Sequence, residues 1–569
     1  MPPISTQFTS TPFTSKVRQV SRRTVLRATG AAAVAAVAAP SLAACGGSKT
    51  SSGAAQSNVD KKLMAWPTYT PVAGLHPDMP GTAAGVQDTF LRYPANLVQS
   101  VPTKPGDGSK VRALIVTYGT QPKGPDQNRL WKAVNDAAGV DLELTMVTDA
   151  DWQTKLGAMM AASDLPDIIM LGLYQLPNEA QFLQAKCEPL GQYLSGDAGA
   201  KAYPNLAAIP PYSWDSVGRV GGDFYAIPIH RPRLGNSFIA NSDLLQQAGI
   251  WNPTPGGLTK AELTAGLLKL NTQGHFALGT NKVASFGYLT HSGVHGTPYL
   301  WSLANGQFTT AYGTENMKNS IATMTDWYSK GLYDPAALTV SSTQCKTDFQ
   351  NGTYVTTTDG FGGFGGYATA VNEKWKVDFV RPFDAGAKAT PWLTPGYFGY
   401  TALKKASPER IKMLLGVLNF LAAPFGSKEW ELINYGIEGV HFTRGADGGP
   451  SKPTDLGKIE NSVNVPFKYV MAAPLVNYLA GEPEAAKRCY QAQVDIVPLG
   501  VADPSLGIQS ATRNKQWPTL LQQIQDGMNQ IVTGKAALSS WDDVIKKWKS
   551  GGGDQIAAEL GAEYAKTHN

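Results

Sequence analysis

Cysteine is scarce: four in 569 residues, which excludes a small scaffold held by disulfides. Beyond Cys45, the three that remain (Cys187, Cys345, Cys489) are odd in number and far apart. At most one bridge can form among them, and spacing does not select the pairing. Acidic residues are missing from the first 44 positions, which hold Lys16, Arg18, Arg22, Arg23 and Arg27 and so carry the whole formal charge of +5. From Cys45 onward, 44 basic residues meet 44 acidic ones. A body of zero net charge gives no case for nucleic acid as a partner. Also missing is an apolar run of the roughly 20 residues that a membrane-spanning helix needs; Ala31 to Ala39 is short and only mildly apolar. With 43% hydrophobic and 16% charged residues the chain reads as folded and water-soluble. Its length exceeds the ~250–300 residues at which one core stops growing, so two lobes or domains are expected.

Catalytic signatures are missing too. No serine stands in a G-x-S-x-G elbow, and neither S-x-x-K nor H-E-x-x-H occurs. His291 and His295 have the i, i+4 spacing of metal ligands, but Gly293 and Gly296 argue against one helix presenting both, and a third ligand is wanting. No run of alternating Asp and Asn suggests a calcium loop. No metal or cofactor is therefore expected. Paired carboxylates for glycoside hydrolysis stay open, because their spacing is spatial and not sequential.

What is present begins with the leader. Ser21-Arg22-Arg23-Thr24-Val25-Leu26-Arg27, the mild apolar run and Leu42-Ala43-Ala44-Cys45 resemble a bacterial twin-arginine export signal closed by a lipoprotein cleavage box. The resemblance implies removal of residues 1–44, lipidation of Cys45, and residence on the extracytoplasmic face of the cell membrane, held by lipid. The small and polar residues that follow, to about Lys62, read as a flexible tether, and 63–109 as a lead-in segment.

From Val111 the chain alternates apolar strand-like runs with helical stretches, the pattern of an α/β fold. Strands are expected at Val111–Val116, Leu142–Val147 and Leu165–Leu171, with helices around Gln127–Ala138 and from Asp151. Open parallel sheets place ligands at the carboxyl ends of their strands, which makes Tyr118 and Tyr174 candidate site residues. Further on, Gly222-Asp223-Phe224-Tyr225-Ala226-Ile227-Pro228 precedes Ile239-Ala240-Asn241-Ser242-Asp243-Leu244-Leu245. Gly249 then reads as a helix C-cap, and Thr259 with Glu262 as a capping box.

These segments, with Trp327-Tyr328-Ser329-Lys330-Gly331-Leu332-Tyr333-Asp334-Pro335, Ser407-Pro408-Glu409-Arg410 and Ile437-Glu438-Gly439, resemble the extracellular solute-binding proteins of bacterial ABC importers, in the sugar and oligosaccharide family. The resemblance spans roughly 110–569 and fits poorly over 274–308 and 443–464. It implies a periplasmic-binding-protein-like type II fold: two α/β lobes joined by a hinge, with a ligand cleft between them. The expected apportionment is 110–232 plus about 355–400 for the first lobe and 233–354 plus about 401–569 for the second.

Sugars are held by aromatic planes on their C–H faces and by polar side chains on their hydroxyls. A micromolar ligand needs about 8 kcal/mol in net binding free energy, so several residues must converge. The expected set is Tyr118, Tyr174, Trp214, His230, Arg233, Trp301, Asp359, Phe361, Tyr397 and Phe398. Asp359 and Phe361 open the run Asp359-Gly360-Phe361-Gly362-Gly363-Phe364-Gly365-Gly366-Tyr367, read as a loop lining the cleft. Trp541, Val544, Ile545 and Trp548, at spacing 0, 3, 4 and 7, read as the packed face of a helix. The resemblance implies a monomeric, lipid-anchored binding protein, not an enzyme, that captures an oligosaccharide and delivers it to the transmembrane subunits of an ABC permease. The alternatives are a secreted, lipid-anchored polysaccharide hydrolase and a surface receptor or adhesin.

Overall fold

The computed structural model describes Asn58 and residues 61–567, apart from 118–120, 149–150, 173–175, 177, 372 and 461–464. Cys45, the leader and most of the tether lie outside these residues, as do Tyr118 and Tyr174. The contacts within the chain divide it into Met1–Gly53 and a compact unit, Ala54–Asn569.

Nine strands of the compact unit build two sheets: β1 (Lys110–Val116), β2 (Asp141–Val147), β3 (Ile168–Gly172), β4 (Ala226–His230), β5 (Asn236–Asn241), β6 (Phe276–Gly279), β7 (Tyr354–Gly360), β8 (Val377–Phe379) and β9 (Tyr397–Leu403). The first sheet has the order β2-β1-β3-β9-β4. β1 runs parallel to β2, from Lys110 opposite Asp141 to Val116 opposite Val147, and parallel to β3. β9 is antiparallel to β3 and β4. The strand β3, Ile-Ile-Met-Leu-Gly, is buried at every position, as expected of a parallel strand covered on both faces. One covering helix, Arg129–Ala138, starts at Asn128, whose side chain accepts from the Trp131 amide, and stops at Gly139, which takes the left-handed φ of 71°. Leu130, Trp131 and Val134 from that helix and Leu414, Leu415 and Leu418 from Pro408–Leu421 fill the first core.

The second sheet has the order β8-β5-β7-β6, with β5 antiparallel to β7 and β8. Its core is closed by the C-terminal helices Ala511–Val532 and Trp541–Trp548. Trp541, Ile545 and Trp548 are buried and Val544 is partly buried, so the 0, 3, 4, 7 stripe is a packed face. The capping box forms: the Glu262 amide donates to Thr259 Oγ1 at 3.2 Å, and Glu262 Oε2 accepts from the Thr259 amide at 2.9 Å.

The chain passes from the first sheet to the second between β4 and β5 and returns between β8 and β9. The two passages are bonded to each other: the Gly235 amide donates to Trp392 O at 3.0 Å and the Thr394 amide to Arg233 O at 2.6 Å. A Cβ at Gly235 would stand 2.9 Å from Trp392 O, so a glycine suits this close approach. The chain passes over again beyond Met471, to the helix Pro483–Ile496, which packs near β8. On the way the Leu475 amide donates to His230 Nδ1 at 3.0 Å.

The pairing corrects the expected boundaries. Residues 354–360 and 377–379 are strands of the second sheet, and only β9 returns to the first, where the helix Pro408–Leu421 joins its core. The glycine run is not a loop either, since Phe361–Gly363 is a short 3-10 turn leading into the helix Phe364–Val371. Its glycines make room for neighbours: a Cβ at Gly365 would meet Leu479 at 2.7 Å and one at Gly366 would meet the Lys346 ammonium at 3.2 Å. The lead-in segment is built into the body through Thr89–Phe90, which pairs in parallel with Asn477–Tyr478, and through packing of Phe90 and Tyr93 on Phe425. Cys187, Cys345 and Cys489 are all free and buried.

Candidate functional site

β4 ends at His230, and from there the chain leaves the first lobe. His230 is 3% exposed, and its two ring nitrogens are both engaged. Because the Leu475 amide donates to Nδ1, the proton sits on Nε2 and is donated to the Tyr212 hydroxyl at 3.1 Å. Burial, with the Arg231 guanidinium adding to it, pushes the imidazole down to about 3. His230 therefore stays neutral and ties β4, the 211–217 helix and the last crossing together; it does not face a ligand. Arg233 lies with its guanidinium carbon 4.9 Å from the Tyr212 ring centre, its stem against Gly85, so it fastens the lead-in segment.

Arg231, between them, turns to the cleft. Its guanidinium carbon is 5.5 Å from the ring centre of Phe398 and 5.8 Å from that of Tyr469, and these two rings are 5.2 Å apart. Phe398 comes from β9, and Tyr469 from a 3-10 turn, Phe467–Tyr469, whose Phe467 is anchored in the first core. Lys468 in that turn has its ammonium 5.5 Å from the Tyr469 ring centre. Lys468 is exposed to water. Desolvation by the protein around it, with the Arg231 and Lys346 charges adding to it, pushes its ammonium down to about 8. In the second lobe, Asp359 at the end of β7 and Lys346 flank Tyr367, which is itself buried against Phe349. Asp359 accepts from the Tyr367 hydroxyl at 2.8 Å and from the Gly360 amide at 2.7 Å, and the Lys346 ammonium is 5.3 Å from the Tyr367 ring centre. Burial raises the pKa of the Tyr469 hydroxyl; Arg231 opposes the rise and the Asp359 charge adds to it. Two aromatic rings, three cations and a carboxylate, drawn from both lobes, thus lie within electrostatic reach of one another.

Of the expected residues, Phe398 and Asp359 belong to this group. Trp214, Trp301 and Phe361 do not, and each is at most 2% exposed. Trp214 packs on Trp66 and Phe224, Trp301 on Trp548 and Phe308, and Phe361 stacks on Phe379 with ring centres 4.4 Å apart. They are core aromatics with no surface to offer a ligand. Arg231, Lys346, Lys468 and Tyr469 were missed. The signal for Arg231 was available, as the residue after a buried strand-end histidine points away from it; that for Lys468 lies only in the packing of Phe467.

His291 lies in the helix Tyr288–Val294, and His295 is the residue that caps its end, its amide donating to His291 O at 3.0 Å. Gly293 is there for contact: its Cβ would come 3.2 Å from Pro391 Cα and Thr390 O. The Tyr333 hydroxyl donates to Phe286 O and so accepts from His291 Nε2 at 2.8 Å. His295 lies edge-on to Phe383. Among the described residues, no group of three His, Cys, Asp or Glu could hold a metal ion.

Tyr397 is buried elsewhere between the lobes. With Glu179, Ser216, Tyr400, Gln509 and Arg513 it lines a cavity of about 40 Å³, room for a few waters and too small for a sugar ring. Burial pushes the Glu179 carboxyl up to about 7, against the Tyr400 hydroxyl that donates to it and the Arg513 charge. The raised pKa disfavours the carboxylate in the folded state. The stability Glu179 contributes is full below about 4.5 and is lost as pH rises through about 7. Glu179→Gln is expected to be more stable than the parent at pH 8 by about 3 kcal/mol, with equal stability near pH 4.5. Urea unfolding at both pH values measures this, and a variant less stable at pH 8 would refute it.

A family model for bacterial extracellular solute-binding proteins matches residues 129–429. A polygalacturonan/rhamnogalacturonan-binding protein of Bacillus subtilis is 23% identical over 478 residues, covering 80% of this chain and 92% of that protein. A lipoprotein of the same organism is 22% identical over 487 residues, covering 80% and 93%. Among solved structures, an alginate-binding protein without calcium ion superposes with a TM-score of 0.57 at 16% identity, covering 82% of this chain and all of that one. An N-glycan transport solute-binding protein of Streptococcus pneumoniae, in complex with Man1GlcNAc, does so with a TM-score of 0.57 at 14% identity, covering 81% and 100%. These likenesses assign the two-lobed α/β architecture to the type II periplasmic-binding-protein fold. With more than half of its length matched by the family model, the chain belongs to the bacterial extracellular solute-binding proteins.

Proposed function

We propose that the protein captures a carbohydrate of more than one ring between its lobes and delivers it to the transmembrane subunits of an ABC importer, from a lipid anchor at Cys45. What supports this reading is the grouping of Arg231, Phe398 and Tyr469 beside the first sheet, with Asp359 of the second sheet within electrostatic reach of Tyr469. Aromatic rings serve the apolar faces of a sugar, and the charged groups serve its hydroxyls. Two relatives are named for polysaccharide or glycan ligands, which supports the class. Delivery needs a motion that a ligand can drive, and a ligand drives closure only by contacts that are better in the closed state. We assign that role to Phe398 and Asp359, which belong to the first and second sheets.

The test is isothermal titration against a panel of di- to hexasaccharides, with small-angle scattering on the same samples. Binding of one class, with a smaller radius of gyration on binding, is the expected result. Affinity for none of them would overturn the carbohydrate reading. Mass spectrometry of the protein purified from its native membrane would report a diacyl or triacyl group on Cys45; an unmodified mature chain beginning elsewhere would remove the anchor.

A further inference from the structure

The stretch before β1 leaves the first lobe and comes back to it. Met64 and Trp66 pack against the first core, and the Thr68 and Thr70 amides donate to Gly196 O at 3.2 Å and Ala207 O at 3.1 Å. Further along, Val101 packs against the same core, and the Ser100 and Val101 amides donate to the buried Glu429 carboxylate at 3.0 and 3.2 Å. Between these attachments the chain turns in a hairpin, with Met79 paired antiparallel to Thr89, and its tip enters the second lobe. Val86 is buried there, sharing a core with Ile239 of β5, Phe379 of β8 and Ile496 of the helix Pro483–Ile496. That helix holds the hairpin at two further points: the Gln87 amide donates to Gln493 Oε1 at 3.0 Å, and the Tyr490 hydroxyl donates to Pro80 O at 3.0 Å.

The hairpin also grips the crossings. The stem of Arg233, in the first crossing, would lie 2.7 Å from a Cβ at Gly85, which takes the left-handed φ of 111°. In the last crossing, Leu475 O accepts from Gln87 Nε2 at 2.8 Å, and the Asn477 amide donates to Asp88 O at 2.8 Å. Four residues after Val86, Phe90 is back against the first lobe, its ring centre 4.8 Å from that of Phe425, which follows the helix Pro408–Leu421. Four residues reach at most about 14 Å, so the link is a short leash. A rotation of the second lobe about its crossings carries Val86 with it while Phe90 stays with Phe425. It must strain the leash or draw Val86 out of its core. We propose that the hairpin Met79–Phe90 is a clasp on the hinge, and that Val86 and Gln87 are positioning residues for capture, fixing the angle from which the lobes close without touching the ligand. Releasing them widens the range of lobe angles in the empty protein, and apparent affinity falls with the fraction poised to close. The clasp goes beyond the carbohydrate reading and does not depend on it.

The test compares the ligand-free, full-length mature protein with the double variant Val86→Ser, Gln87→Ala, by hydrogen exchange read by mass spectrometry and by small-angle scattering. Thr68→Val is the control, since it removes a strap bond made within the first lobe, from the Thr68 hydroxyl to Asp197 at 2.6 Å. In the double variant the amides of Gly235 and Thr394, which bond the two passages to each other, should exchange at least tenfold faster, and the radius of gyration should rise. The control should match the parent in both. Gln87→Ala alone should move both readouts in the same direction by less; Gln87 is half-buried, so this variant decides the matter if the double variant fails to fold. Exchange in the peptide 79–90 reports whether the clasp has come away. A released clasp with parental exchange at Gly235 and Thr394 and a parental radius would overturn the proposal. A clasp still protected in the double variant would overturn the role given to Val86 and Gln87. Equal acceleration in Thr68→Val would reduce the effect to general loosening and overturn it as well.

Discussion

Trp301→Ala is expected to destabilise the protein by about 3–5 kcal/mol while leaving the ligand affinity of the remaining folded protein unchanged. Trp301 is 1% exposed and lies 5.9 Å from Trp548 and 6.4 Å from Phe308, ring centre to ring centre. Removing an indole deletes on the order of 200 Å² of buried apolar surface. At roughly 25 cal/mol per Å² that is about 5 kcal/mol, before any relaxation of the walls. The effect is large against a total stability of about 5–15 kcal/mol. Collapse is limited, because Trp548 is fixed by its own helix and that helix by Trp541, whose indole N–H donates to Tyr312 O at 2.9 Å. Urea unfolding gives the loss, and titration with the saccharide that binds the parent gives the affinity. A variant of parental stability with weakened binding would return Trp301 to the cleft.

The same residue shows where reading a chain stops. Tyr299-Leu300-Trp301-Ser302 and Pro395-Gly396-Tyr397-Phe398 are alike in kind: aromatics flanked by small or turn-forming residues. One supplies a core tryptophan and the other a cleft phenylalanine, and what separates them is a partner far off in the sequence. Trp301 meets Trp548, and Phe398 meets Tyr469 and Arg231. Regular elements were legible because their causes are local. Alternating or continuous apolar runs marked β1, β2 and β3, Thr259 and Glu262 marked a helix start, and the tryptophan stripe at 541–548 marked a face. Lobe boundaries were not legible after residue 354, since β7 pairs with β5 across more than a hundred residues and no short window records which sheet receives a strand. The cation group failed for a related reason: Lys346 and Lys468 are unremarkable lysines until the fold brings one within electrostatic reach of the other.

Acidification from pH 8 to 4.5 is expected to cost about 3 kcal/mol of stability, through two larger effects that oppose each other. His230 and His291 are buried neutral, pushed down to about 3, and His295 to about 4, in each case chiefly by burial. A depressed histidine contributes stability that is full above its unfolded value near 6.5 and is lost as pH falls toward the folded value. At pH 4.5 the three together lose about 8 kcal/mol. Glu179 and Asp503 work the other way. Burial raises them to about 7 and about 6, so protonation near pH 4.5 relieves about 5 kcal/mol. Urea unfolding of the parent at pH 8, 6 and 4.5 should therefore show a modest fall. Glu179→Gln, which removes part of the compensation, should show a fall about twice as large over the same range. His291→Asn should have the opposite effect on the slope whatever its cost in packing, because the asparagine does not titrate. A parent as stable at pH 4.5 as at pH 8, with both variants following it in parallel, would mean that these buried groups reach water before the protein unfolds.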